Sequence, residues 1–328
     1  MKLIYNVQDK PKLSQTLIFA FQQMIAIMAA TLLVPMIMTG YGLPADPAAA
    51  LFGAGLGTIV YILFTKRRSP VFLGSSFTFL GAYAATISQN YGYWGVLIGV
   101  GFAGLVYVVI ALIIKLVGSA WVNKLMPAVI IGPIVTLIGL SLSGTATSWM
   151  STNGGDTYSF VSILIGLVTF LAIVIASVKG SKTIKMIPFI IGIGVGYLAA
   201  LVCTLIGKAA NIEMLQVLSF QPFIDAFSEF GITSIVDYPK FFLLRALETN
   251  GSFAAIDFAV IGNIALIFVP IGVVELAQHI ADHKNLSSII EKDLITDPGL
   301  DRTLLGDGVG SIVAVSYTHL DVYKRQPL

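Results

Sequence analysis

Residues 267–285 read IFVPIGVVELAQHIADHKN. With the residues ahead of them they extend an apolar run over 256–280, in which Glu275 is the one carboxylate well inside. About 20 apolar residues in a helix cross the hydrocarbon core of a bilayer, so this run reads as a transmembrane helix. An ionisable side chain at that depth is costly and marks function by default. Gln278 and His279 follow Glu275 at i+3 and i+4, which places all three on one helix face.

Working outward, the composition repeats the message. Of 328 residues, 56% are apolar and 11% charged, with a net charge of +2. Mean hydropathy is +0.90. A soluble fold of this length could not keep so much apolar surface from water. A cytosolic enzyme, a disordered chain and a secreted disulfide scaffold are excluded, and the bilayer is the first partner. The small net charge gives no reason to expect a nucleic acid. The single cysteine, Cys203, cannot form an intrachain disulfide and reads as a packing residue.

The fold class is therefore an all-α polytopic membrane protein. Candidate spans cover 16–38, 48–65, 71–88, 94–116, 126–145, 158–178, 187–207 and 256–280, with a ninth opening near 303, about eight to nine in all. Residues 1–15 lack the apolar core of a signal peptide and read as a cytoplasmic leader. Of the nineteen lysines and arginines, fourteen fall on the side of the N-terminus. Three (Lys208, Lys240, Arg245) fall opposite, and Lys324 and Arg325 lie in the tail. Positive charge stays inside, so the N-terminus is expected in the cytoplasm and the chain in the cytoplasmic (inner) membrane. The polar stretch 209–255 reads as an extracytoplasmic loop with amphipathic surface helices.

Several spans carry irregularities. Pro35, Pro127, Pro133 and Pro270 each remove or strain a helical hydrogen bond, a break that survives at membrane depth where the freed backbone faces protein or a polar cavity. The glycine strings 53–57 and 192–196 lie within apolar spans and read as close helix packing, not phosphate loops. SPVFLGSSFTFLGAY, residues 69–83, reads as a short strand entering a half-helix that starts at Ser75 and Ser76. Half-helix amides at the membrane midplane can hold a polar ligand, and Phe77 can offer a ring for stacking. Gln22 and Gln23 make a polar pair on the first span, suited to gluing helices.

The last residues read differently. TLLGDGVGSIVAV, residues 303–315, opens a span that SYTHLDVYKRQPL then interrupts. Abandoning a helix halfway across lipid strands its carbonyls. Residues 316–328 resemble a translated cloning adapter and are expected to be non-native, the chain being a fragment of something longer.

Three stretches carry a family resemblance: FQQMIAIMAATLLVP, GTIVYILFTKRRSPVFLGSSFTF, and VVELAQHIADHKNLSSIIEKDLITDPGLDRTLLGDG. They resemble the nucleobase:cation symporters (nucleobase–ascorbate transporters), and within them the bacterial uracil permeases. The resemblance implies an inverted-repeat transporter of seven plus seven spans that imports a nucleobase with protons. Residues 16–208 would then form the first repeat and 256–315 the start of the second. It implies that Phe77 lines the nucleobase site, and that the family's first-span Gln-His pair corresponds to Gln22 and Gln23. Its eighth-span Glu-His pair corresponds, counted back from the DPGL motif, to Gln278 and His279, with Glu275 able to take the glutamate's place one turn earlier.

The expected activity is proton-driven import of uracil, with Phe77, Ser75, Ser76, Gln278 and Glu275 binding substrate and Glu275 with His279 coupling the proton. A carboxamide such as Gln278 both donates to and accepts from the alternating edge of a pyrimidine. No cofactor or metal is expected beyond the proton gradient, and a homodimer is compatible with the reading. A purine (xanthine or urate) permease of the same family is the alternative. An enzyme is not expected, although His279 and His283 at i and i+4 also fit a degenerate intramembrane metalloprotease signature.

Overall fold

The computed structural model describes residues 6–125, 127–152, 157–181, 184, 187–221, 224–225, 239–249 and 257–317. In chain order these form helices α1 (Leu13–Gly40), α2 (Pro47–Phe64), α3 (Leu80–Ser88), α4 (Gly92–Val117), α5 (Ala120–Leu125) and α6 (Ala128–Thr152). There follow α7 (Phe160–Lys179), α8 (Pro188–Ala210), α9 (Phe242–Thr249), α10 (Phe258–Ile290) and α11 (Leu300–Tyr317). Among the described residues, six helices (α1, α2, α4, α7, α8 and α10) are long and apolar enough to cross a membrane. Among the described residues every regular element is helical, and the protein is multi-pass.

Helix starts follow local chemistry. Asp46 caps α2 by accepting from the Ala48 amide at 2.9 Å, with Pro47 in the first turn. Ser159 does the same for α7 and Asp257 for α10, which begins with Val260 N–H donating to Asp257 at 2.8 Å. Each cap satisfies an amide that the helix cannot pair internally.

The chain divides into two compact units, 1–138 with 239–328, and 139–238, the boundary falling inside α6. In the first unit α11 packs on both α2 and α4, and α10 packs on α4. The α2–α11 approach depends on glycine: a Cβ on Gly57 would stand 3.2 Å from the Gly310 carbonyl oxygen and 3.3 Å from the Ala314 Cβ. The packing reading of the 53–57 string therefore holds at Gly57. Tyr107, Leu276, Ile280, Leu300 and Leu304 form a buried core between α4, α10 and α11. On α9, Phe242 and Ala246 are buried, and the Phe242 ring meets Tyr93 edge-on at 4.6 Å.

In the second unit α7 packs on α8, where Gly192 and Gly196 face Ile173 and Thr169 with no room for a Cβ. The Thr204 hydroxyl accepts from the Leu218 amide at 3.1 Å, tying the end of α8 to the segment after it.

Two expectations change. The strand expected before α3 is absent among the described residues: 71–76 are irregular, and an extended segment becomes a strand only when another pairs with its backbone. The half-helix begins at Leu80, not at Ser75 and Ser76, whose side chains bond elsewhere. Helices α1, α6 and α10 run through Pro35, Pro133 and Pro270 without ending. At Pro35 the reason is visible. Proline offers no amide to the carbonyl four residues back, that of Thr31. The Ser75 hydroxyl donates to that carbonyl instead, at 3.1 Å. Much of the expected 209–255 loop, at 226–238 and 250–256, lies outside the described residues, as does 318–328 of the tail.

Candidate functional site

The irregular segment 71–79 runs beside α10 and is tied to it twice. The Ser76 hydroxyl donates to Glu275 Oε1 while accepting from the Thr78 amide at 3.2 Å. The Thr78 hydroxyl donates to Gln278 Oε1 at 3.3 Å. Ser75, Ser76 and Glu275 are all buried, at 0%, 2% and 1% exposed. The helical spacing of Glu275 and Gln278 presents both to the same short segment. The structure thus brings together Ser75, Ser76, Glu275 and Gln278.

Phe77 and Phe79 divide their labour. Phe79 is fully buried against Tyr83 and Phe268, with ring centroids 6.0 Å away in each case. Phe77, between Ser76 and Thr78, is half-buried. Of the two rings, Phe77 is the one with a surface left to offer.

His279 bonds to α11 and not to the serines. Its Nδ1 lies 2.5 Å from the Asp307 carboxylate, both side chains being 0% exposed, and its Nε2 lies 3.0 Å from Thr303 Oγ1. Thr303 has a second possible partner, the Leu300 carbonyl at 3.1 Å. When the hydroxyl donates to that carbonyl, His279 donates from both nitrogens as an imidazolium facing a carboxylate. When it donates to Nε2, the ring is neutral. One pocket accommodates either proton count by turning a single hydroxyl.

The sequence reading misses Asp307 and Thr303, although an acid within TLLGDGVGSIVAV is a usable signal: an ionisable residue in an apolar run. Glu275 is accordingly not alone; Asp307 is as deeply buried and lies near enough for their charges to interact. His283, at i+4 from His279, has metal-ligand spacing in the sequence. Its nitrogens instead meet the Tyr61 hydroxyl and the His279 carbonyl, each at 2.9 Å. Gln22 and Gln23 are half-buried on α1. They stand two helical turns or more, about 12 Å, before Thr31, the α1 residue that meets the serine segment.

Chemically, the arrangement offers an aromatic face, a carboxamide, two buried acids and a histidine within one helical unit. Comparison with known proteins gives the family of the chain. Residues 14–318 match the family model of xanthine/uracil type described as a permease family, and the chain belongs to that family. It is 35% identical to the uracil permease of Bacillus caldolyticus over 95% of this chain and 65% of that protein. It is 32% identical to the uracil permease of Bacillus subtilis, with the same coverage of both chains. It is 28% identical to that of Escherichia coli K12, over 94% of this chain and 63% of that protein. The chain thus spans about two thirds of the length of these relatives. Members of the family are transporters, not enzymes.

Proposed function

We propose that this chain carries the substrate-recognition elements of a permease that imports uracil by proton symport. The observation that supports it best is the double tie between the 75–78 segment and one face of α10, through Ser76 to Glu275 and Thr78 to Gln278. Uracil is flat, with an edge that alternates N–H donors and carbonyl acceptors. In this reading Phe77 stacks on its face, and Gln278 pairs with its edge by giving and taking one hydrogen bond. Ser75 and Ser76 hold the segment in place. Glu275, bonded directly to Ser76, takes the role of the family glutamate, and Gln278 that of an edge reader. The names of the relatives support uracil over a purine.

The energy source is the proton gradient alone. Glu275 with the His279–Asp307 pair carries the coupled proton, and the His279 pocket fits its ring with and without it. The membrane is the cytoplasmic one and the N-terminus lies inside, as the distribution of lysine and arginine favours. Residues 16–208 form one repeat of a seven-plus-seven architecture and 256–315 begin its inverted counterpart. The seven apolar runs that the sequence offers before the 209–255 loop, and the eighth after it, support that division.

The test is uptake of labelled uracil by the intact transporter, expressed from its complete gene, across a pH step. Glu275→Gln should bind uracil nearly as well as the parent and lose uphill, pH-dependent accumulation. Full proton-driven accumulation by this variant would remove Glu275 from coupling.

A further inference from the structure

One turn beyond His279 on α10 lies a buried group that the transport reading leaves unused. The His283 side chain is 0% exposed, and its ring stacks on that of His279 with centroids 4.2 Å apart and 17° between planes. Its Nδ1 faces the His279 carbonyl oxygen at 2.9 Å, an atom that can only accept, so Nδ1 carries a hydrogen. Its Nε2 lies 2.9 Å from the Tyr61 hydroxyl, which in turn lies 2.8 Å from Ser69 Oγ. Ser69 follows Lys66, Arg67 and Arg68 in the basic turn after α2, where all three are exposed.

This chain of atoms fits two hydrogen arrangements. With His283 neutral, the Tyr61 O–H donates to Nε2. With a proton added at Nε2, the ring donates to the Tyr61 oxygen. The Tyr61 hydrogen then turns to Ser69 Oγ, and the Ser69 hydrogen turns toward the loop. The ring gains one proton and no heavy atom moves. The neighbouring ring, however, is His279, and two imidazolium charges stacked at this distance oppose one another. Asp307, the carboxylate facing this region from α11, is already paired with His279. The other groups around His283 are Asp282 and exposed Lys284 on α10, Tyr61 on α2, and Tyr107 on α4, which meets the His279 ring at 5.8 Å. The cluster of Arg68, Lys292 and Asp297 stands at the surface nearby.

We propose that His283 is a second proton-binding site, reached from the cytoplasmic side through Ser69 and Tyr61, and that His279 and His283 carry positive charge in alternation. Protons in the cytoplasm then oppose the loading of His279 and slow transport. This consequence rests on the proton-coupled reading and on an inside N-terminus.

The experiment is exchange of labelled for unlabelled uracil by the intact transporter in proteoliposomes, with outer pH held and inner pH stepped from about 7.5 to about 6. The parent should exchange more slowly at the lower inner pH. H283Q, which cannot titrate, should lose that part of the dependence and exchange faster than the parent at the lower inner pH. S69A removes the acceptor that only the charged arrangement needs. It should leave exchange at the higher pH unchanged and move the midpoint to more acid inner pH. A parent indifferent to inner pH, or an H283Q profile like the parent's, overturns the proposal. Should H283Q fail to fold, S69A decides: an unmoved midpoint, or a loss of exchange equal at every pH, overturns it too. Net uptake driven by outer acid is measured in parallel. Its absence in the parent would remove the symport reading, whereas the difference between the inner-pH profiles of the parent and H283Q speaks to His283.

Discussion

The Ser75 hydroxyl donates at 3.1 Å to the Thr31 carbonyl oxygen, the acceptor that Pro35 leaves without a helical partner. Ser75 and Thr31 are 0% and 1% exposed, so no water substitutes for the bond. The proline in α1 and the serine of the irregular segment therefore form one device, which fastens that segment to α1 on one side while Ser76 fastens it to α10 on the other.

Removing one half of the device should be costly and conditional. Ser75→Ala leaves a buried carbonyl unpaired, at about 1–3 kcal/mol. In a Pro35→Ala background the alanine amide can pair with Thr31, and the same serine change should cost much less. Thermal unfolding of the four proteins in a double-mutant cycle measures the coupling. Equal costs in both backgrounds would separate Ser75 from Pro35.

The two phenylalanines should fail differently. Phe77→Ala should weaken uracil binding roughly 5- to 150-fold, the equivalent of about 1–3 kcal/mol of base–aromatic stacking, with the fold intact. Phe79→Ala empties a fully buried site and should destabilise the protein by about 3–5 kcal/mol. Equilibrium binding and thermal denaturation on both variants distinguish the roles. A Phe77 variant that binds normally would take the ring out of the site.

Asp297 gives a pH dependence outside the membrane. Lys292 first and Arg68 second, each 2.9 Å away, hold its carboxyl below the usual carboxylate range. A depressed value means that the pair adds stability above the ordinary aspartate titration near about 3.9, and that the gain is lost as pH falls through the lowered value. Asp297 is 43% exposed, so the gain is small and salt should screen it. The stability difference between the parent and Asp297→Asn should therefore shrink in acid and in concentrated salt. A difference that grows on acidification would contradict the pairing.

Orientation can be read with cysteine labels. Ala48→Cys, at an exposed position opening α2, should react with an impermeant reagent from outside. Arg67→Cys, exposed at the other end of the same helix, should be protected until the membrane is opened. The reverse pattern would overturn the charge argument.

What the amino-acid order determines by itself is whatever fits within one window of chain. Membrane character needs only runs of apolar residues as long as a bilayer is thick, and the shared face of Glu275, Gln278 and His279 needs only the helical period. Close packing at Gly57 is legible in the same way, because a glycine inside an apolar span has few other uses. The partners of these residues are another matter. Asp307 is 28 positions from His279 and Tyr61 is 222 from His283. Nothing local tells which way α11 and α2 are rotated, or at what depth they meet α10. The serines show the same limit: Gly74, Ser75 and Ser76 look like a helix start. Only the packed structure commits their hydroxyls to Thr31 and Glu275 and moves that start to Leu80. A hydrogen bond between helices depends on the position and rotation of both, and these are set by the burial of whole faces.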